Sequence, residues 1–308
     1  MSEHSTSQLK VPAKAEIPLS IVIVNWMTKD ALHACLSSIL SHAPDFEHEI
    51  IVVDNASNDG SSEMVQQLFP NVKLIRLEKN VGYAKGNNIG IVQSKGEFIL
   101  TLNPDTEFFD HSLSTAVQIM QINDDIAALS GRLLNKDGTT QYSMRGFPKF
   151  SSVLFDWIGL SRLFPNSKVF GAYRMKWFDY DKQQDAQQPM GTFLLYRRSA
   201  LSKTGIFDEQ FPIFFNEVDL LMRFKKKGFR VVYSPDVKLY HIGGESTKQK
   251  RKQMIWESHY SFMRFYKKWY LKDWKFILIP LISFAVYIFA FLRTRSFSRG
   301  FRAEHNDL

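Results

Sequence analysis

The first 125 residues alternate between short apolar runs and stretches in which apolar residues recur at helical spacing. Leu19–Val24 reads LSIVIV and Ile50–Val53 reads IIVV, continuous apolar runs typical of strands buried on both faces. This alternation predicts βαβ units, hence an α/β fold with a mostly parallel, Rossmann-like sheet and helices on both faces. The predicted elements of this part are the strands Leu19–Val24, Ile50–Val53, Val72–Leu77 and Phe98–Leu102, and the helices Ala31–Ser41, Ser61–Phe69, Gly86–Val92 and Ser112–Ile122.

Polar residues stand where several of these strands end. Asn25 and Asp54 follow the first two strands, and Asn103 and Asp105 follow the fourth. Ligands of open α/β sheets bind at the carboxyl ends of the strands, so a binding site is expected there. Asp54 could accept hydrogen bonds from a base or a ribose. Asn103 and Asp105, two apart in an extended segment, suit oxygen ligation of a hard divalent cation. The alternative is that both segments are only turns.

Regular patterns return near residue 190, after a variable stretch (135–190) interpreted as the substrate region. They predict a strand at Gly191–Arg197, a helix at 217–227, and two short strands at Arg230–Tyr233 and Val237–Tyr240. Glu217 and Asp219 stand at the start of the helix. The helix dipole alone explains carboxylates there, but one of them could instead be a general base. His241 follows the last strand and is either a metal or phosphate contact or a structural histidine.

The net charge of +8 is distributed unevenly along the chain. Residues 1–219 carry a net charge of −5, and residues 220–308 carry +13. A nucleic-acid binder would need its basic surface on the folded domain, so nucleic acid is not expected as a partner. The chain has one cysteine, which excludes a disulfide framework, and it lacks the phosphate-loop and dinucleotide-binding glycine signatures.

The C-terminal part contains an uncharged run of seventeen residues, Phe276–Leu292, between basic flanks. Three interpretations remain open: one membrane span, a segment lying in one leaflet, or a buried core helix. Aromatic residues before the run suit a membrane interface, and the basic residues suit anionic lipid. A membrane-associated C-terminus is expected, lying in the membrane rather than spanning it.

Taken in order, five segments resemble family-2 glycosyltransferases of the GT-A fold, in particular their rhamnosyltransferase-like branch. The segments read VDNASNDGS, NVGYAKGNN, LNPD, NEVDL and HIGG. Three regions are expected: a flexible leader (1–17), which is polar and without periodicity, a GT-A domain (18–247), which the resemblance implies, and a basic, aromatic and membrane-associated C-terminal segment (248–308).

The resemblance also implies roles for individual residues. It places the nucleotide at Asn25 and Asp54 with Asp59, Lys85 and Asn103 nearby, a metal at Asp105 with His241, and the catalytic base at Glu217, with Asp219 as the alternative.

The implied activity is an inverting, metal-dependent transfer of one sugar from a nucleotide-diphosphate sugar, with dTDP-rhamnose as the expected donor. The cofactor would be Mg²⁺ or Mn²⁺, and the acceptor a polyprenyl-diphosphate-linked sugar or a glycan of bacterial surface polysaccharide. The enzyme would work at the cytoplasmic face of the inner membrane. The competing interpretation is a non-catalytic protein of the same fold that binds nucleotide sugars or glycans.

Overall fold

The computed structural model describes residues 11–12, 14–243, 250–271 and 273–301. Within them one mixed sheet has the strand order β3-β2-β1-β4-β10-β6-β11-β5, with β8 also paired to β11. The strands are β1 Ile17–Asn25, β2 His48–Asp54, β3 Lys73–Arg76, β4 Gly96–Leu102, β5 Thr106–Glu107, β6 Ile126–Leu134, β7 Met144–Arg145, β8 Gln184–Asp185, β9 Gln188–Pro189, β10 Phe193–Arg197 and β11 Arg230–His241.

Helices cover both faces of this sheet and form the C-terminal part. They are α1 Lys29–Ser41, α2 Ser61–Leu68, α3 Tyr83–Gln93, α4 Ser112–Gln121, α5 Phe150–Trp157, α6 Leu160–Leu163, α7 Arg198–Thr204, α8 Asn216–Lys226, α9 Arg251–Trp269 and α10 Ile279–Thr294, with a 3₁₀ turn at Asp273–Leu278.

The strand–helix alternation of the first 125 residues is confirmed. Each of its predicted strands and helices is present, and β3, β2, β1 and β4 are parallel neighbours. The second half differs in two respects. Strand β6 was not predicted, because its sequence IAALSGRLL has a single β-branched residue, at its start, and four small residues after it. It borders β10, which runs antiparallel to both of its neighbours and therefore makes the sheet mixed.

The two short strands predicted at 230–233 and 237–240 form one strand, β11. Its pairing with β6 shifts register between Ser234 and Lys238. Pro235 lies in this shift, where a residue without an N–H group is tolerated because a bulge leaves it unpaired. The bulge lets β11 continue as far as His241, whose position in the site depends on this extension.

Helix α3 packs closely on β1 because it carries glycines on the contacting face. A Cβ at Gly90 would lie 2.3 Å from Val22 Cγ1, and a Cβ at Gly86 would lie 2.9 Å from Val24 Cγ1. Any larger residue at these positions would require the valines or the helix to shift. The close packing fixes the first turn of α3 beside the carboxyl ends of β1 and β2.

At the N-terminus, residues 1–10 and 13 of the predicted leader lie outside the described residues. Val11 is buried, and the carbonyl of Pro12 accepts a hydrogen bond from Arg198 Nη1 (3.2 Å). Residues 244–249 also lie outside the described part, and with them the end of the HIGG motif and the predicted boundary at 247. The division into three regions stays a prediction.

The helices α9 and α10 form a hairpin at the C-terminus. One face of α10 is buried at a spacing of four residues, by Ile282, Val286, Ala290 and Thr294. Trp256 near the start of α9 donates from its indole N–H to Thr294 Oγ1 (3.2 Å), so the two helices run in opposite directions.

Candidate active site

The first group of site residues is a carboxylate facing an imidazole. β4 ends at Leu102, and the Asn103–Asp105 turn leads into β5, which pairs antiparallel with the end of β11. This pairing brings His241 Nε2 within 3.6 Å of Asp105 Oδ1. Both side chains are buried, and Asp105 Oδ1 has no hydrogen-bond partner among the described residues.

The His241 ring is oriented by Gln141. The Gln141 amide nitrogen donates to the His241 carbonyl (2.7 Å) and to Asn135 Oδ1 (2.9 Å), which fixes the orientation of the amide. Gln141 Oε1 then faces His241 Nδ1 at 2.9 Å, so Nδ1 carries the proton and Nε2 keeps its lone pair. Burial lowers the pKa of His241, while the Asp105 carboxylate acts in the opposite direction.

These two side chains fit one edge of a divalent-cation site. An unpartnered carboxylate oxygen and an imidazole lone pair at the same point are suitable ligands, and the partner of Nδ1 is of the kind that orients metal-binding histidines. Among the described residues, no group of three His, Cys, Asp or Glu side chains could hold a metal, at this site or elsewhere. Substrate and water oxygens are the usual further ligands of Mg²⁺ beside phosphates.

The second group centres on Glu217, the second residue of α8. Its carboxylate is only partly exposed, and this burial raises its pKa to about 7, although the backbone N–H groups of Glu217 and Val218 favour the ionised form. Phe215, the residue before α8, has φ = 67°, an uncommon value for a residue with a side chain. A carboxyl group that titrates near neutrality is suited to accepting a proton.

Asp219, two residues further along α8, has a different environment. It is fully buried, and its Oδ2 accepts from Arg223 Nε at 3.0 Å. Its Oδ1 lies 2.7 Å from Lys268 Nζ and accepts from Trp269 Nε1 at 2.8 Å. The Asp219 carboxylate therefore serves to hold α8 against the end of α9.

Gly191 and Thr192 connect the two groups. A Cβ at Gly191 would lie 3.5 Å from Glu217 Cγ, and Tyr83 Oη donates to the Gly191 carbonyl (3.2 Å). The Thr192 carbonyl accepts from the N–H of Asn103 (2.9 Å), and its hydroxyl lies 3.5 Å from His241 Nε2. Glu217, Asn103 and the Asp105–His241 pair thus surround one dipeptide at the start of β10.

Asn25 and Asp54 lie at the ends of neighbouring parallel strands. They are partners in the β1–β2 register, and Asn25 Nδ2 donates to Asp54 Oδ1 (3.2 Å). The Ser62 hydroxyl donates to Asp54 Oδ2, and Thr28 Oγ1 donates to Asn25 Oδ1 (2.7 Å). Both side chains are buried and held in place, as expected of the floor of a binding site.

The positions of Asp59 and Lys85 are less directly related to nucleotide binding. Asp59 Oδ2 accepts from the first N–H of α1, at Lys29 (2.9 Å), and Oδ1 accepts from the N–H of Ser61 (3.1 Å) at the start of α2. Asp59 therefore ties two helix N-termini together. Lys85 is exposed on the first turn of α3.

Sequence reasoning missed Gln141, Thr192 and Tyr83. Gln141 belongs to the irregular stretch that gave no interpretable pattern, and its role depends on contacts 100 residues away. Thr192 was included only as part of a predicted strand. Tyr83 stands in the segment NVGYAKGNN, in which the resemblance assigns a role only to Lys85.

Comparisons with known proteins agree with this architecture. The family model "Glycosyl transferase family 2" matches residues 20–205. An N-acetylglucosaminyl-diphospho-decaprenol L-rhamnosyltransferase of Mycobacterium tuberculosis is 28% identical over 244 residues, which cover 74% of this chain and 77% of the relative.

Two solved structures share the fold. GalNAc-T7 with UDP, GalNAc and Mn²⁺ has a TM-score of 0.56 and 16% identity, covering 74% of this chain but only 44% of that chain. The mannosyltransferase PcManGT of Pyrobaculum calidifontis, with GDP-Man and Mn²⁺, has a TM-score of 0.53 and 14% identity, covering 92% and 77%.

The fold is therefore of the GT-A type, with a mixed α/β sheet. The family match spans more than half of the chain, so the protein belongs to glycosyl transferase family 2 and is a glycosyltransferase similar to rhamnosyltransferases. This confirms the resemblance noted in the sequence.

Proposed function

We propose that this enzyme transfers a sugar, with rhamnose from dTDP-rhamnose as the first choice, to a polyprenyl-diphosphate-linked acceptor during synthesis of bacterial surface polysaccharide. The observation that carries the proposal is the arrangement around Gly191–Thr192, with an open carboxylate–imidazole pair on one side and a carboxyl group of raised pKa on the other. The choice of sugar and lipid-linked acceptor is supported by the name of the mycobacterial relative.

In this mechanism Asp105 and His241 hold a divalent cation, Mg²⁺ or Mn²⁺. When bound, the cation offsets the negative charge that develops on the diphosphate leaving group. Gln141 keeps Nε2 of His241 free as a ligand, and Asn25 and Asp54 bind the base and ribose of the donor. Mn²⁺ in both structural neighbours supports the divalent-cation requirement.

Glu217 acts as the general base. An acceptor hydroxyl attacks the anomeric carbon, its proton passes to Glu217, and the bond to the diphosphate breaks with both electrons leaving on the diphosphate oxygen. Asp219 is unsuited to this role because three donors already occupy its carboxylate. A single base without an enzyme nucleophile gives one displacement, so the anomeric configuration inverts.

The pH dependence of activity follows from the raised pKa of Glu217. The base must be ionised, so kcat/KM is expected to fall as the pH drops below about 7, by roughly tenfold per pH unit. If Glu217 had the pKa of an unperturbed glutamate, kcat/KM would instead fall only below about pH 4.3. A profile measured between pH 5 and 9 at saturating metal distinguishes the two, and a flat profile down to pH 5 contradicts the assignment.

The metal proposal predicts the behaviour of Asp105→Asn. Since the substitution removes one anionic ligand, a higher Mn²⁺ concentration should be needed for half-maximal activity, and metal-dependent donor binding measured by calorimetry should weaken in parallel. Glu107→Gln, a substitution at the partly exposed carboxylate two residues further on, is the matched control. Full wild-type activity in excess chelator would exclude the metal mechanism.

The donor and acceptor are tested together. The purified enzyme is incubated with dTDP-, UDP- and GDP-sugars and a polyprenyl-diphosphate-sugar acceptor, and products are identified by mass spectrometry. Addition of one rhamnose from dTDP-rhamnose supports the full proposal. Transfer of another sugar corrects the donor only. Binding of donors with neither transfer nor hydrolysis would contradict the proposed reaction.

A lipid-linked acceptor places the reaction at a membrane, and we assign it to the cytoplasmic face of the inner membrane, where nucleotide sugars are available. The C-terminal segment is the proposed attachment. Phe276–Thr294 is long and apolar enough to cross a membrane, with a mean hydropathy of 2.2, and only 17% of this stretch is buried in the protein.

A further inference from the structure

Exposed apolar side chains are concentrated in two segments far apart in the sequence. Most of the large apolar residues that the structure exposes belong to residues 150–169 or 276–297. The first set is Phe150, Leu154, Trp157, Ile158, Leu163, Phe164 and Val169, and the second is Phe276, Ile277, Leu281, Phe284, Ile288, Phe289, Phe291, Leu292 and Phe297. The surface of a soluble protein rarely exposes so many apolar residues together, so these two segments are expected to bind a ligand or a partner.

The two segments join into one surface. Trp157 at the end of α5 stacks on Phe289 of α10, with ring centroids 6.0 Å apart and planes at 24°. Trp157 also contacts Phe262 of α9, again at 6.0 Å. Helices α5 and α6 belong to the catalytic domain, so the apolar surface of the C-terminal helix continues onto that domain.

The chain after α10 returns to the protein. The indole N–H of Trp256 donates to the Ser296 carbonyl (2.9 Å), and Tyr260 Oη donates to the Ser298 carbonyl (3.1 Å). The backbone N–H of Phe301 donates to the buried Glu257 carboxylate (2.9 Å). The Phe301 ring also lies against Gly82 in the loop before α3, 3.1 Å from where a Cβ at Gly82 would stand.

This return conflicts with a transmembrane span. If α10 crossed a bilayer, residues 295–301 would lie on the opposite side of the membrane from the catalytic domain, where they could contact neither Glu257 nor Gly82. The buried face of α10, Ile282–Val286–Ala290–Thr294, also requires α9 alongside it. A helix with one face on the protein and the other exposed and apolar is suited to lying in the membrane interface.

Positive charge surrounds the same surface. Exposed basic side chains belong to both segments and their flanks: Lys149, Arg162, Lys168, Arg293, Arg295 and Arg299. Each basic residue close to an anionic membrane adds about 1 kcal/mol of attraction. Exposed apolar and exposed basic side chains on the same two segments match the acyl chains and headgroups of an anionic leaflet better than they match a soluble protein partner.

We propose that residues 150–169 and 276–297 form a single membrane-docking surface that inserts into one leaflet of an anionic bilayer without crossing it. The proposal extends the membrane attachment of the proposed function from the C-terminal segment to the catalytic domain. Its tests do not use transferase activity, so they fail or succeed independently of the assigned reaction.

The docking surface lies close to the helix that carries Glu217. Phe262 of α9 contacts Trp157 on one side and Phe215, the residue before α8, on the other, with centroid distances of 6.0 Å to each. One aromatic side chain, Phe262, therefore separates Trp157 of the docking surface from the residue that precedes α8. A short distance of this kind suits an acceptor whose sugar projects only slightly above the membrane.

The first test measures binding of the full-length protein to vesicles of phosphatidylcholine with and without 30% phosphatidylglycerol. Ile158→Glu puts a charge on the catalytic-domain half of the surface, at a side chain that is 61% exposed and therefore tolerant in the folded state. Losing the insertion of one isoleucine should weaken partitioning about tenfold or more. Phe284→Glu on α10 should have a similar effect, and removing the phosphatidylglycerol should weaken binding further.

Ile122→Glu is the matched control, since Ile122 is exposed but belongs to neither segment. It should bind vesicles as the wild type does, and thermal melting checks that all variants are folded. If Ile158→Glu binds as strongly as Ile122→Glu, the catalytic domain is not part of the surface. If the wild type binds no vesicle, the whole proposal is wrong, and self-association measured by sedimentation then tests a second copy as the occupant.

The second test asks whether the chain crosses the membrane. Glu47→Cys on the catalytic domain and Arg299→Cys after α10 introduce exposed thiols, while the native Cys35 is buried. Intact cells and inverted membrane vesicles are treated with a membrane-impermeant maleimide. Both thiols should react in the inverted vesicles only. Labelling of Arg299→Cys from outside intact cells would show that the helix spans the membrane.

Discussion

Replacing Glu217 by glutamine should lower the rate of sugar transfer by about 10²–10⁴-fold, the usual contribution of a general base. The amide keeps the size of the side chain but cannot accept the proton of the acceptor hydroxyl. Donor binding should be unchanged, because Asn25, Asp54 and the Asp105–His241 pair are untouched. Single-turnover kinetics give the rate, and calorimetry with the nucleotide-diphosphate sugar gives the affinity.

Two further variants make this result specific. Glu63→Gln changes an exposed glutamate that pairs with Arg76 on the surface, and it should leave the rate unaltered. Glu217→Asp keeps the carboxylate on a side chain that is one methylene shorter, so this variant should retain part of the activity. Near-normal turnover by Glu217→Gln would remove Glu217 from the mechanism.

Replacing Asp219 by alanine should instead destabilise the fold. The substitution leaves Arg223 and Lys268 without their shared carboxylate and Trp269 without its acceptor. Removing one partner of a buried ion pair costs about 3–5 kcal/mol in free energy of unfolding. The lower end is expected because Lys268 is partly exposed and keeps Asp208 as a second partner.

Urea unfolding followed by fluorescence measures this loss of stability. The result distinguishes the structural role of Asp219 from the proposed catalytic role of Glu217. Asp219→Asn keeps an acceptor for the indole and should cost less than Asp219→Ala. At a temperature where the variants are still folded, both should retain most of their activity. A stable but inactive Asp219→Asn enzyme would assign the base to Asp219 instead of Glu217.

The sequence predicted the parallel half of the sheet well, because that half depends on local patterns. Strands β1, β2 and β4 are apolar runs, and the helices between them have regular spacing. The same pattern placed Asn25 and Asp54 at strand ends, and the structure pairs them in register. The prediction failed for β6, which has only one β-branched residue, and for the direction of β10, which depends on its pairing with β4 and β6.

For the candidate site, too, the sequence predicted the local features and missed those that depend on distant contacts. Asp105, Glu217 and His241 were found as polar residues next to predicted elements. The proximity of Asp105 and His241 was not derivable from spacing, since it depends on the pairing of the two-residue strand β5 with the end of β11. The choice between Glu217 and Asp219 also needed the structure, because only the packing of α9 shows which carboxylate is already occupied.

The contact between Asp219 and the end of α9 has a practical consequence for protein engineering. A chain with an apolar C-terminal part is often shortened for expression, and a cut before residue 250 would remove Lys268 and Trp269 together with the apolar helix α10. Helix α8 would then lose its support, and inactivity of the shortened chain would be mistaken for a need for lipid. Solubility is better obtained by exchanging the outward residues of α10 for polar ones and leaving its inward face and α9 intact.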